Sequence, residues 1–156
     1  MKTLLVVLVG LFIISCSSSR IYVVRHAEKL DNTPYSLLST TGHERAARLR
    51  DLLMNRKIDM IFVTTFQRTQ ETAQPLATAL NKKLNIYRNN AVDSIAEVIK
   101  SLPGKNILLI GHSGNIPAII EKITGKKVEA IKEDEYGKLY TIKIRKRKIS
   151  LKESVY

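Results

Sequence analysis

Ile21-Tyr22-Val23-Val24-Arg25-His26-Ala27-Glu28 decides how the rest of the chain is read. Four consecutive apolar residues, three of them β-branched, suit a strand buried on both faces, and the run breaks abruptly into charge. The same design occurs twice more. Ile61-Phe62-Val63 runs into Thr64-Thr65-Phe66-Gln67-Arg68, and Leu108-Leu109-Ile110 runs into Gly111-His112-Ser113-Gly114-Asn115. Between these runs the pattern is helical. Ala46, Leu49, Leu52 and Leu53 form one apolar face behind Thr41-Gly42-His43-Glu44, which has the spacing of a capping box. A helix is expected from about Gln67 to Leu80, with Pro75 kinking it or marking a local restart. Further helices are expected over Val92 to Leu102 and over Ile116 to Thr124, the last ended by Gly125. Ile58 to Thr64 and Asn106 to Ile110 read as strands, and Leu84 to Tyr87 as a short one. Leu139 to Ile144 and Ile149 to Glu153 alternate and predict a closing hairpin or edge pair. Strands alternating with helices predict an α/β chain: a three-layer α/β/α sandwich around a mostly parallel central sheet.

In open α/β sheets, ligands bind just outside the carboxyl ends of the strands. If the three strands are parallel neighbours, two imidazoles (His26, His112) and two guanidiniums (Arg25, Arg68) converge there. The chain carries 26 basic against 14 acidic residues, a formal charge of +12, which favours anionic partners without choosing among phosphate esters, nucleic acid and acidic lipid. Its 156 residues suit one domain, and the 44% hydrophobic share excludes wholesale disorder. Cys16 is the only cysteine, so an intrachain disulfide framework is excluded. No cysteine–histidine spacing suggests a metal, no glycine-rich nucleotide loop occurs, and no cofactor is expected. His43 lies beside Arg45 on an amphipathic helix and reads as solvent-facing. Arg145-Lys146-Arg147-Lys148 reads as a solvated hairpin turn that also favours anionic lipid; no aromatic stacking pattern supports nucleic-acid binding.

Arg25-His26-Ala27-Glu28, Arg68-Thr69-Gln70-Glu71-Thr72-Ala73 and Gly111-His112-Ser113 together resemble the histidine phosphatase, or phosphoglycerate mutase-like, superfamily. They match its RH(G/A)-E opening, its R-x-x-x-T-A helix start and its GH(S/G) segment. Leu38 to Ala46 also fits the family's usual stretch between the first two motifs. The resemblance implies a phosphatase that hydrolyses phosphate monoesters without a cofactor. His26 attacks phosphorus and carries a phosphohistidine, while Arg25, Arg68 and His112 hold the transferring group. Thr64 is expected to donate a further hydrogen bond to the phosphate. Glu28, the motif glutamate, is placed with the phosphate-binding residues and expected to orient an arginine, or to form a surface ion pair.

Ester cleavage also needs a general acid for the departing oxygen. The resemblance implies a carboxylate from a loop after the second arginine, for which Asp93, 25 positions after Arg68, is the first candidate and Glu97, one turn later, the second. Asp93 reads equally as a first-turn helix acid. No acidic residue directly follows His112, so the histidine acid phosphatase arrangement is absent. A phosphohistidine phosphatase of the small bacterial type is the enzyme alternative, because nitrogen leaving groups need less acid assistance. A non-catalytic anion-binding domain at the membrane is the alternative of a different class. The substrate, a phosphorylated small molecule or a phosphoprotein, is not encoded in any motif.

The first residues read as an address. Met1-Lys2-Thr3 precedes an apolar run from Leu4 to Ile14, too short for a spanning helix of about 20 residues. Ile13-Ile14-Ser15-Cys16 resembles the lipobox of bacterial lipoproteins. That resemblance implies a signal peptide over 1–15, a lipidated Cys16, a short tether over 16–20, one domain over 21–156, and a place at the bacterial cell envelope.

Overall fold

The computed structural model describes residues 18–146 and 148–156. The signal peptide, Cys16 and its lipidation lie outside the described residues. The first strand, β1, spans Ser18–Arg25, so it starts within the expected tether: Ser18 already pairs with Arg145. The other elements are α1 Thr40–Leu53, β2 Met60–Thr64, α2 Gln67–Ala79, β3 Leu84–Tyr87, α3 Val92–Lys100, β4 Asn106–Gly111, α4 Ile116–Thr124, β5 Lys138–Arg145 and β6 Lys148–Val155. They form a six-stranded sheet in the order β3-β2-β4-β1-β5-β6. β1 to β4 run parallel, while β5 and β6 are antiparallel at one edge.

The apolar runs are buried on both faces, and their alternation divides the core in two. Ile21, Val23, Phe62, Ile107 and Leu109 pack with Ile95 and Ile99 of α3 and Ile116, Ile119 and Ile120 of α4. Tyr22, Val24, Ile61, Val63, Leu108 and Ile110 pack with Leu49 and Leu53 of α1 and Ala73 and Leu76 of α2. One residue of slip in any of these strands would exchange its two faces, so both helical layers fix the register. The result is the three-layer arrangement expected from the sequence.

Local chemistry departs from expectation at several points. The N-cap of α1 is Ser39, whose Oγ accepts from Gly42 N at 3.1 Å, and the helix begins one residue before the expected capping box. Ser39 N also donates to Glu28 O, which pulls the helix start onto the end of β1. A Cβ on Gly42 would lie 2.2 Å from that same oxygen, so no larger residue fits the junction. Helix α2 runs through Pro75 as one element. Helix α4 ends as expected: Gly125, at φ 71°, donates its N–H to Glu121 O. Each hairpin strand is longer than its alternation suggested, and the turn opens with Lys146 at φ 54°.

Candidate active site

The three polar clusters meet because β1, β2 and β4 are parallel neighbours whose carboxyl ends share one side of the sheet. Arg25 ends β1 directly opposite Gly111 of β4, and His26 N donates to Gly111 O at 3.0 Å. Thr64 ends β2, and Arg68 sits in the first turn of the helix that follows.

His26 is 3% exposed, and its Nδ1 lies 2.8 Å from Ala27 O. A carbonyl only accepts, so Nδ1 carries the proton and Nε2 keeps its lone pair. Nε2 makes no hydrogen bond among the described residues, and it is not one of their buried unpaired atoms. Ala27 N donates to Thr72 Oγ1, which fixes the backbone behind the ring. The His26 and His112 rings stand edge to face, 5.2 Å between centroids.

His112 is held on both ring nitrogens. Arg68 Nη2 lies 3.4 Å from Nδ1, and Thr64 Oγ1 lies 2.9 Å from Nε2. A guanidinium only donates, so Nδ1 accepts and Nε2–H donates to Thr64. The Thr64 hydroxyl then donates to Thr69 Oγ1 at 3.0 Å, and Thr69 donates to Phe66 O at 2.7 Å. Thr64 is fully buried and its hydroxyl is engaged in this chain. It therefore positions His112 rather than contacting phosphate, a correction to its expected role. Thr69 is the partner that sequence reading missed.

Arg25 is 3% exposed, and Nη1 donates to the carbonyls of Lys132, Glu133 and Glu135 at 2.7, 2.8 and 3.3 Å. Its guanidinium carbon lies 4.3 Å from the centre of the Tyr136 ring, which in turn stands 6.0 Å from His26. Arg68 donates through Nη1 to Pro34 O at 2.8 Å and lies over the Phe66 ring. Both Nε–H groups are buried without a partner. An oxyanion accepting from them would relieve that cost.

Glu28 does not orient either of these arginines. Its carboxylate is bound by the Arg45 guanidinium through Nε and Nη2, and Arg45 Nη1 donates to Tyr156 O at 2.9 Å. Burial is the largest single influence and opposes ionisation of Glu28, but the Arg45 hydrogen bonds, a backbone hydrogen bond and the charges of Arg45 and Arg48 together hold the carboxyl below its usual range. Glu28 thus fastens the end of β1 to α1 and to the C-terminus. Asp93 is exposed and paired with Lys122 of α4 at 2.7 Å, which is the first-turn helix reading of that residue. Glu97 is exposed on α3, as is His43 on α1.

Burial dominates the electrostatics. It lowers His26 from an ordinary 6.5 to about 3, helped by His112, Arg25 and Arg68 and opposed by the bond to Ala27. It lowers His112 to about 4, helped by Arg68 and Arg25. Both rings are therefore neutral at pH 7. Below pH 6.5 an unfolded chain takes up two protons that the folded site refuses, so stability is full above pH 6.5 and falls toward pH 4. At pH 5 each histidine is expected to cost about 2 kcal/mol. Denaturant unfolding at pH 7.5 and pH 5 measures the loss, and His26→Gln should remove about half of it.

The model of the histidine phosphatase superfamily (branch 1) matches residues 21–90, which carry Arg25, His26, Glu28 and Arg68. Over that segment, a little under half of the chain, the sequence is similar to the superfamily. Solved structures agree on the fold over nearly the whole described chain. The protein histidine phosphatase SixA complexed with tungstate superposes with a TM-score of 0.72 at 14% identity, covering 87% of this chain and 96% of that one. A mycobacterial glucosyl-3-phosphoglycerate phosphatase gives 0.68 at 12% identity, covering 89% and 98%. The phosphoglycerate mutase from Plasmodium falciparum gives 0.64 at 17%, covering 88% and 91%. At these identities the likeness is one of fold alone. No curated protein sequence matches the chain.

Proposed function

We propose that the protein removes phosphoryl groups by ping-pong transfer through His26. The observation that supports this most is the fixed tautomer: Nδ1–H is held by Ala27 O, so Nε2 is an unprotonated nucleophile at neutral pH. Nε2 attacks phosphorus, a P–N bond forms, and the bond to the leaving group breaks with its electron pair. Arg25 and Arg68 spread positive charge over the equatorial oxygens. A bound phosphate dianion favours protonation of His112 at Nδ1, which then donates to a phosphate oxygen while Nε2 stays on Thr64. Water next attacks the phosphohistidine, releasing inorganic phosphate and returning His26 to its neutral form.

Monoesters and phosphoramidates make different demands on this site. A departing alkoxide needs a proton, and Asp93 is occupied by Lys122. That ion pair favours the second reading, a substrate with a nitrogen leaving group such as phosphohistidine. Asp93→Asn separates the two. If Asp93 is the acid, hydrolysis of an aryl or alkyl phosphate falls about 100-fold while phosphoramidate hydrolysis is unchanged. If the ion pair is structural, neither rate moves by more than about twofold. Failure of the wild-type protein to release phosphate from either class contradicts the catalytic reading.

The envelope location belongs to the same proposal and rests on the residue order of the first sixteen positions. Cells fed a fatty-acid analogue should label the protein, and Cys16→Ala should abolish the label.

A further inference from the structure

Away from the site, a groove of about 730 Å³ lies between the last turn of α1, the α1–β2 loop and the α1-side face of β1, β5 and β6. Five cations line it: Arg20, Arg56, Lys57, Lys143 and Lys152, and no carboxylate does. All five are exposed, and none forms a salt bridge among the described residues. Asp59, beside the groove residue Asn106, is bound to Lys105 and to Asn106 N.

Two features make this more than scattered surface charge. Arg20 of β1 and Lys143 of β5 are direct cross-strand partners, and like charges so placed destabilise a sheet unless an anion lies between them. The loop that carries Arg56 and Lys57, the latter at φ 53°, is held against β4 by Asn106 Nδ2, which donates to the carbonyls of both residues. The Arg20–Lys143 opposition is thus a cost of gathering positive charge here.

The position of the groove points to its occupant. Arg20 lies two residues from Ser18, the first residue of β1, and four positions from Cys16, the proposed lipidation site. Ser18 pairs with Arg145, at the hairpin that also carries Lys146 and Lys148. The start of β1 and these cations therefore lie at the same end of the sheet. Arg25 and His26 sit at the other end, about 16 Å beyond Arg20 at ~3.3 Å per residue.

We propose that this groove and hairpin form a docking face for an anionic bilayer. Headgroup phosphates separate the opposed Arg20 and Lys143, the lipid proposed on Cys16 enters the membrane alongside, and the His26 pocket faces away into solution. The orientation excludes lipids of the same leaflet as substrates. It stands on surface charge and chain direction, independently of the catalytic reading.

The test is partition of the full-length chain onto vesicles of phosphatidylcholine, with and without phosphatidylglycerol. Wild type should bind the mixed vesicles more tightly, and high salt should erase the difference. Arg20→Gln/Lys143→Gln/Lys152→Gln should weaken binding to the mixed vesicles about 100-fold, with phosphatase activity and melting temperature retained. A charge-matched variant outside the groove, Arg48→Gln/Lys82→Gln/Lys83→Gln, should lose far less. Four outcomes would overturn the proposal: no preference for the mixed vesicles, an unaltered preference in the groove variant, an equal loss in the matched variant, or groove substitutions that abolish oligonucleotide binding or self-association and leave vesicle binding intact.

Discussion

His26→Ala is expected to reduce phosphate release by a factor on the order of 10⁴ or more, while the protein remains folded. In the proposed mechanism every other group at the site stabilises charge or holds a neighbour in place, and only His26 forms a bond to phosphorus. Its ring is packed against His112 at 5.2 Å and Tyr136 at 6.0 Å, so alanine leaves a small cavity without exposing the sheet. His26→Gln should be equally inactive, because an amide preserves polarity and supplies no comparable nucleophile. Rate measurements with melting curves separate lost chemistry from lost folding. Retention of a tenth of wild-type activity in either variant would mean that a water, not His26, attacks phosphorus directly.

Arg25→Lys is the second large effect, expected to lower turnover by about 10² to 10³-fold despite keeping the charge. Arg25 does two jobs that an ammonium cannot combine. One nitrogen donates to three carbonyls of the 132–135 segment, while the rest of the fork is left for oxyanion oxygens. The same substitution should release that segment, so limited trypsin digestion should cut faster after Lys132. Slowed catalysis with unchanged digestion would assign Arg25 to the phosphate alone. Faster digestion at normal rates would make it purely a loop anchor.

The sheet and the meeting of four side chains were legible because buried parallel strands leave a plain trace. Ile21 to Val24 is apolar without interruption since helices cover both faces, and the first polar residue after such a run stands at the ligand-binding edge. The tyrosine and carbonyls around Arg25 left no such trace. Main-chain acceptors have no residue signature, and residues 132–136 reach Arg25 only through a contact more than 100 positions long. For Glu28 the motif left open which arginine it meets: Ser39 draws α1 onto the segment after β1, and Arg45 of that helix becomes the partner. Asp93 is the acid that the family resemblance implies and also stands in the first turn of α3, where Lys122 of α4 is its partner.

Rapid quenching during turnover of a ³²P-labelled substrate, followed by peptide mapping under alkaline conditions, tests the central step most directly. An acid-labile, alkali-stable phosphoryl group on the peptide containing His26, absent in His26→Ala, is the expected result. Label on His112, on a hydroxyl or carboxylate, or no enzyme-bound label while phosphate is being released, would contradict it.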